Sequence, residues 1–327
     1  MKKFLFLAIA AAAMTSCSQD EVLEVAQKQA ISFGNAFVGN STRAAVTAID
    51  PSYSPSNSLT AFNVWGTVAS GDTPVAIFTQ TQVTGTVGTE SVWNPATTQY
   101  WVEDAKYNFA ALVNEGDASN VTLGNDLLPS SVKFTYSTGN VDLLYAKSNA
   151  DIVGLKTANP LVQMEFAHLL SKVKFTVVNK SIEAEKYSFL VKNIKVLNAT
   201  EATCALPEKT WNSHNTASDI AFSEIILDNA TAKSECANEL LLIPNDVTVS
   251  FTVDILYDSK TVTTHTYTTS KAQTLAVGHA YNFLIEVSVG EPIQFTVATN
   301  PTWTNGNTVD SDDADTDFDH IPVTSLN

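Results

Sequence analysis

Charged side chains are scarce in this sequence, and arginine is nearly absent. Charged residues make up 16% of the 327 residues, whereas about a quarter is usual for soluble domains. Arg43 is the only arginine, and acidic residues outnumber basic ones enough to give a formal net charge of -16 at pH 7. Nucleic acids and anionic membranes attract basic surfaces. The composition therefore argues against both of them as partners.

Cysteine is also rare, since Cys17, Cys204 and Cys236 are the only three in the sequence. None of them has the neighbouring ligands of a metal site or the partners of a catalytic thiol. Cys204 and Cys236 leave two alternatives open. In an oxidising compartment they would form a disulfide that stabilises the fold by about 3 to 4 kcal/mol, or they would remain two buried free thiols.

Patterns that carry catalysis are missing as well. The histidines show no metal-ligand spacing, and the sequence contains no GxSxG, HExxH or phosphate-binding loop. His168 and His279 adjoin strand-like segments, where a structural role is expected. The sequence therefore predicts a protein that is not an enzyme and needs no metal or other cofactor.

The first 16 residues have the character of a secretory signal. Lys2 and Lys3 precede an apolar run, 4–14, that is too short for the roughly 20 residues of a membrane-spanning helix. Small residues then lead to Cys17, which we expect to become a lipidated amino terminus; an ordinary signal with an incidental cysteine is the alternative. The acidic stretch 18–21 resembles the tag of surface lipoproteins in Bacteroides-like bacteria. The expected location is the outer face of the cell outer membrane.

Apolar residues recur at every second position through much of the remaining chain. Clear examples are the segments 59–65, 106–112, 172–177, 191–196, 248–253 and 281–287. This alternation is typical of half-buried β-strands, and the Gly, Asn, Asp and Pro clusters between the segments are typical of turns. No long helical period occurs after the signal. The sequence therefore predicts an all-β protein built from β-sandwiches.

The length of the chain after residue 16 is more than one sandwich needs, which predicts two domains. A polar, turn-rich stretch over 156–160 marks the expected boundary. We therefore expect a first domain over 44–158, a second domain over 159–298 and a tail over 299–327.

The tail is strongly acidic. Its carboxylates are Asp310, Asp312, Asp313, Asp315, Asp317 and Asp319. Calcium prefers several carboxylate oxygens, but the run lacks the glycine and terminal glutamate of an EF-hand loop. Dense like charge disfavours compaction, so we expect a solvated acidic segment, with calcium binding as the alternative.

A series of short motifs runs through nearly the whole chain. They are Ile31-Ser32-Phe33, Ser41-Thr42-Arg43-Ala44, Trp93 with Tyr100-Trp101 and Tyr107-Asn108-Phe109, Phe166-Ala167-His168-Leu169-Leu170-Ser171-Lys172-Val173, and Gly278-His279-Ala280-Tyr281-Asn282-Phe283. In this order they resemble the fimbrillin family of Bacteroidetes, the subunits of type V pili. The resemblance implies two transthyretin-like Greek-key β-sandwich domains in tandem.

The same resemblance implies how the precursor matures. Members of the family lose their first strand through cleavage after an arginine, and Arg43, followed by Ala44, is the matching residue. A propeptide over 17–43 would then leave with the strand-like segment 31–38. The implied partners are a maturation protease with arginine specificity and other pilus subunits, because a strand donated by a neighbour would fill the vacated groove by donor-strand exchange.

The role of the chain in a pilus leaves alternatives open. Stalk subunits of the family donate a strand from the carboxyl end, whereas 321–326 is interrupted by proline and 293–297 is expected to complete the second sandwich. A tip or accessory subunit therefore fits as well. The other alternative is a surface lipoprotein that never polymerises and binds a host glycan or protein through aromatic side chains. The candidates for that platform are Trp65, Trp93, Trp101, Trp211 and Trp303.

Overall fold

The structure of the protein is a computed structural model that describes residues 29–38, 60–85, 92–113, 121–137, 142–181, 186–229, 231–289, 292–300, 317–320 and 322–325. These residues form 25 β-strands and no α-helix, so the predicted all-β class is confirmed. Accordingly, the described part of the chain offers no helix with the length and apolarity needed to cross a membrane.

The strands are numbered in chain order. The first are β1 (Phe33–Val38), β2 (Ala61–Ala69), β3 (Val75–Thr84), β4 (Val92–Pro95), β5 (Lys106–Val113), β6 (Val121–Leu123), β7 (Pro129–Thr135), β8 (Leu144–Lys147), β9 (Ile152–Val153) and β10 (Val162–His168). They are followed by β11 (Ser171–Asn179), β12 (Tyr187–Asn198), β13 (Glu201–Ala205), β14 (Thr210–Asn212), β15 (Ser218–Ala221), β16 (Ile225–Leu227), β17 (Lys233–Glu235) and β18 (Leu240–Leu242). The last are β19 (Asp246–Tyr257), β20 (Lys260–Thr269), β21 (Gln273–Thr274), β22 (Ala280–Val287), β23 (Gln294–Asn300), β24 (Asp317–His320) and β25 (Val323–Ser325).

The amino-terminal sheet closes on itself. Its strands follow the order β2-β3-β4-β1-β10-β8-β5-β9, and β2 also pairs with β5 over seven residues. Seven of the strands therefore form a ring in which β1 is one link. The Greek-key connections predicted for both domains stay a prediction.

The side chains inside the ring follow from the alternation in the sequence. In β10, for example, Val162, Met164 and Phe166 are buried, whereas Gln163 and Glu165 are exposed. Successive side chains of a strand point to opposite faces, so each strand of this kind gives one face to the core. The core of the ring is dominated by rings and large aliphatic groups: Ile31, Phe33, Phe62, Phe78, Trp93, Trp101, Tyr107, Phe109, Met164 and Phe166.

The carboxyl-terminal part is a sandwich of two sheets. One sheet has the order β17-β11-β22-β23-β24 and the other the order β15-β12-β19-β20-β25. Their facing side chains share one core, in which Phe175 and Phe283 stack with ring centroids 5.2 Å apart and Phe283 and Phe295 with centroids 5.6 Å apart. Because β23 pairs with β22 along its length, it completes this sandwich, as the sequence predicted.

The two parts are joined by more than a linker. β13, from the carboxyl-terminal half, pairs with β7, from the amino-terminal half, in a small sheet of the order β14-β13-β7-β6. β10 also lies in the ring, where it pairs with β1 and β8. The boundary predicted between residues 158 and 159 therefore does not divide the sheets, because the chain crosses between the parts only after His168.

The described residues of the tail are strands, which corrects the expectation of a solvated segment there. β24 contains Asp317 and Asp319 and pairs with β23, and β25 pairs with β20. Each therefore covers part of the outer strand of one sheet of the sandwich. Backbone pairing satisfies hydrogen-bonding groups that an open sheet edge would leave exposed. The remaining acids of the run, 310–315, lie outside the described residues.

Candidate strand-exchange site

β1 occupies an interior position of the ring. On one side it runs parallel to β10, with Phe33 opposite Val162, and on the other it runs antiparallel to β4, with Phe33 opposite Trp93. Parallel neighbours are distant in sequence by necessity, so this pairing joins β1 to β10, which follows all six other strands of the ring in the chain. Removing β1 would leave unpaired backbone groups on two strands at once.

Two side chains anchor this segment in the core. Ile31 and Phe33 are both fully buried. The ring of Phe33 meets Phe62 edge-on with centroids 5.8 Å apart and Phe109 edge-on with centroids 5.6 Å apart. Edge-to-face pairs stabilise beyond the burial of area alone. Burial of each such side chain contributes about 1.5 to 3 kcal/mol. Non-covalent packing alone therefore holds this segment firmly in the core.

An amide clasp fixes the amino-terminal end of the segment. The side chain of Gln29 donates from Nε2 to the carbonyl oxygen of Asn159 and accepts from the Asn159 amide N–H, each over 2.6 Å. The side chain of Asn159 in turn accepts from the amide N–H of Leu155 over 2.6 Å. Gln29 thereby pairs with the backbone as a neighbouring strand would, and it holds the loop that leads into β10.

The backbone beside the clasp continues the pairing toward residues 99–101. The amide N–H of Ile31 donates to the carbonyl oxygen of Gln99 over 2.8 Å, and that of Trp101 donates to the carbonyl oxygen of Gln29 over 3.0 Å. The hydroxyl of Tyr107 accepts from the amide N–H of Val102 over 2.7 Å. Burial raises the pKa of Tyr107, although the bond from Val102 opposes it, so this phenol stays protonated and keeps its position.

We expect Gln29→Ala to loosen the amino-terminal end of this segment while the strand itself stays in place. The change leaves the buried Asn159 amide N–H without its acceptor, which costs about 1 to 3 kcal/mol. Amide hydrogen exchange at Ile31 and Trp101 should accelerate by one to two orders of magnitude in consequence. Gln82→Ala is the matched control, because Gln82 is exposed on β3. Equal exchange in both variants would contradict the clasp.

The residues predicted to be modified or cleaved, Cys17, Arg43 and Ala44, lie outside the described residues. Arg43 follows the last residue of β1, Val38, by five positions. The predicted strand 31–38 corresponds to β1, which begins at Phe33. The bridge of Ala30 with Tyr100 extends the pairing of this segment toward its amino-terminal end. β1 therefore lies within the predicted propeptide 17–43, whose removal stays a prediction.

The aromatic platform expected of a glycan-binding protein is not formed by the described tryptophans. Trp65, Trp93 and Trp101 are buried, and Trp211 is half-buried with its indole N–H donating to the carbonyl oxygen of Leu169 over 2.8 Å. Trp93 and Trp101 are covered because Ile31 and Phe33 lie in the same core. Trp303 lies outside the described residues.

Of the two alternatives left open for the cysteines, the structure has the two free thiols. Cys204 and Cys236 are both free and buried. Cys204 packs in the cluster between the two parts of the molecule, and Cys236 packs in the core of the sandwich. Burial raises the pKa of Cys204 to about 12 and that of Cys236 to about 11. Desolvation disfavours the thiolate, which is the reactive form.

Both thiols should therefore be inert in the folded protein. At pH 8 a pKa of about 12 leaves about one Cys204 thiol in ten thousand ionised. We expect Ellman's reagent to detect no reaction of Cys204 and Cys236 over minutes in the native chain starting at Ser18, and two thiols per chain in denaturant. One fast-reacting thiol without denaturant would contradict the burial of these side chains.

The described residues offer little for metal binding or acid–base catalysis. No group of three or more His, Cys, Asp and Glu side chains is close enough to hold a metal among them. A cleft of about 460 Å³ lies between the sheets of the sandwich, and its lining among these residues includes Tyr187, His265 and Ile293 but no carboxylate. Calcium binding by the acidic run stays a prediction, since most of that run is not described.

Sequence reasoning missed the clasp and the ring. Gln29 and Asn159 are 130 positions apart, and nothing in the local pattern links them. The pairing of β1 with β10 is likewise invisible to periodicity, which indicates that a strand exists but not which strand it joins. The sequence offered one signal for the clasp: a polar residue, Gln29, lies two positions before the alternating segment 31–33.

The chain is similar to several solved structures of low sequence identity. A protein from Bacteroides ovatus, described as a proposed cell adhesion protein, superposes with a TM-score of 0.52 at 14% identity, covering 86% of this chain and 99% of that chain. One from Bacteroides uniformis gives 0.46 at 17% identity, covering 86% and 100%. The tip fimbrial protein Mfa3 of Porphyromonas gingivalis, with its carboxyl terminus truncated, gives 0.43 at 8% identity, covering 83% and 99%.

No curated protein sequence matches the chain significantly. The family model described as fimbrillin-like, in contrast, matches residues 42–303. This match begins after β1 and spans the strands β2 to β23. The chain therefore belongs to the fimbrillin-like family, whose members form surface fimbriae of Bacteroidetes.

Proposed function

We propose that this chain is a subunit of a type V pilus that accepts a donated strand after proteolytic maturation. It is made as a lipoprotein precursor whose Cys17 carries the lipid anchor at the cell outer membrane. Cleavage after Arg43 frees β1, and a strand of a neighbouring pilus subunit takes its place. Membership of the fimbrillin-like family supports the coarser part of this proposal, a fimbrial role.

The observation that carries the proposal is the position of β1 in the ring. β1 pairs with strands on both sides and supplies Phe33 to the core, yet it precedes the only arginine of the chain. A cut after Arg43 would leave β1 bound by non-covalent contacts alone. Its loss would open the ring between β4 and β10 and expose an apolar groove with two unpaired edges. Such a groove is filled most readily by another extended strand.

The carboxyl end supports a tip or accessory position more than a stalk position. β24 and β25 already pair with β23 and β20 of their own sandwich. To donate a strand from this end, the chain would first have to break those pairings. A subunit that accepts a strand without donating one needs no such rearrangement, and it would end a filament on one side.

Cleavage by an arginine-specific protease tests the proposal directly, because Arg43 is the only arginine. The chain starting at Ser18 should be cut once and acquire a new amino terminus at Ala44. A fluorescent peptide covering 29–43 should then exchange into the cleaved chain, and not into the uncut chain. Arg43→Gln is the matched control, since it removes the cleavage site and changes no other residue.

The outcomes separate the alternatives. Peptide exchange together with ladders of oligomers would assign a stalk subunit. Exchange without ladders would assign a tip or accessory subunit. Resistance at Arg43, or a cleaved chain that neither releases its fragment nor takes up the peptide, would overturn strand exchange and favour a surface lipoprotein that does not polymerise.

A further inference from the structure

Five exposed apolar side chains surround the place where the described chain begins. Tyr100, Val102, Val153, Leu155 and Leu161, here called the entry patch, are each between 36% and 54% exposed. They come from three separate stretches of sequence. Large apolar groups that gather at one place on a surface indicate a contact surface, whereas scattered ones do not.

Backbone contacts show that these stretches are adjacent. The carbonyl oxygen of Val102 lies against Gly154, so close that a Cβ on Gly154 would be 2.1 Å away from it. The neighbours of Gly154 in the chain are Val153 and Leu155. Ala30 bridges Tyr100, and Leu161 lies against Gly34, where a Cβ would be 2.9 Å from the Leu161 Cβ. The patch thus extends on both sides of the segment 30–34.

Gln29 determines where the preceding residues must be. The Gln29 side chain accepts a hydrogen bond from the amide N–H of Asn159. The Asn159 side chain in turn accepts one from the amide N–H of Leu155, a member of the patch. The backbone carbonyl oxygen of Gln29 accepts a hydrogen bond from the amide N–H of Trp101, which lies between Tyr100 and Val102 in the chain. The chain before Gln29 therefore leaves from the middle of the entry patch. Seven residues in extended form span up to about 23 Å, so residues 22–28 can reach side chains around this point.

The sequence immediately before Gln29 is suited to cover apolar groups. Residues 22–28 read Val-Leu-Glu-Val-Ala-Gln-Lys, with aliphatic side chains at 22, 23 and 25. We propose that residues 22–28 of the precursor pack on the entry patch and shield it. This adds a second role to the propeptide, because the segment would occupy the surface beside the groove as well as the groove itself.

The consequence for assembly rests on the proposed cleavage after Arg43. Loss of the propeptide would open the groove and uncover the entry patch in one step. The entry patch would then be closed to a neighbour before maturation, and the mature chain would present it beside the acceptor groove. Packing of 22–28 in the uncut chain does not depend on that cleavage, so the two ideas can fail separately.

Thiol labelling tests the shielding in the uncut chain. Leu155→Cys places a thiol in the patch, and the two native thiols of the described part are buried. We expect a maleimide to label this thiol at least tenfold more slowly in the chain starting at Ser18 than in the chain starting at Gln29. Both lengths retain the clasp and β1. Replacing Val22, Leu23 and Val25 together by serine in the longer chain should restore fast labelling.

Val75→Cys is the matched control, because Val75 is exposed on β3 and its labelling should not depend on chain length. Equal labelling of Leu155→Cys in both lengths would overturn the proposal. If labelling of Leu155→Cys slowed with rising protein concentration in both lengths, the patch would be a contact between two copies of the chain. That result would equally overturn the proposal.

Discussion

Phe33→Ala is expected to lower the free energy of unfolding of the uncut chain by about 3 to 5 kcal/mol, the range for truncating a buried phenylalanine. Phe33 is fully buried and contacts the rings of Phe62, Phe78 and Phe109. The interior of a closed ring of strands has little freedom to collapse around the space left behind. Urea unfolding followed by tryptophan fluorescence would measure the change.

The same substitution should loosen β1 after cleavage. If Phe33 contributes the stated energy to the seated strand, the fragment ending at Arg43 should dissociate roughly a hundred to several thousand times faster. Phe251→Ala is the matched control, because Phe251 is fully buried in the core of the sandwich. It should destabilise the chain comparably and leave the release of the fragment unchanged. A loss below about 1 kcal/mol for Phe33→Ala would contradict its burial.

Gly154→Ala is expected to destabilise the chain by about 3 kcal/mol, near the upper end for overpacking. A Cβ at this position would lie 2.1 Å from the carbonyl oxygen of Val102. The obstacle is backbone, so it cannot turn away as a side chain could. Gly154 also donates to the carbonyl oxygen of Ala105 over 2.8 Å and accepts from Asp104 over 2.9 Å, which fixes it in place. Thermal unfolding would show a lower midpoint.

Gly71→Ala is the control for this substitution. Nothing lies within 4 Å of a Cβ added at Gly71, and the residue is in the exposed turn between β2 and β3. Its unfolding free energy should change by no more than about 0.5 kcal/mol. Similar stability of the two variants would show that the loop holding Gly154 can move away from Val102, and the close approach would then not constrain the fold.

Local strand signals in the sequence correspond well to strands of the structure. The alternation of 106–112 and 281–287 is found in β5 and β22, and the segment 31–38 contains β1. These predictions hold because the period of two depends only on which face of a strand is buried. The site was foreseen to the same extent: a first strand and an arginine after it could be recognised along the chain, and removal of that strand stays a prediction.

What the sequence could not supply are the partners of those strands. Cys204 and Cys236 are compatible with a disulfide in the sequence, yet they lie in different clusters. The acidic end predicts a solvated tail, but β24 and β25 pair with the sandwich. In both cases the deciding contacts join residues far apart in the chain, and no local propensity or charge pattern encodes them.

The sequence by itself determined that this is an all-β protein with few charges, a strand-like segment before a single arginine, and a fimbrillin-like pattern of motifs. The tertiary structure alone decided that β1 is a link in a closed ring, held by Phe33 in the core and by Gln29 at its start. The physical reason is that the identity of a strand's neighbours depends on backbone pairing and on packing between distant segments. Those interactions exist only once the ring has closed.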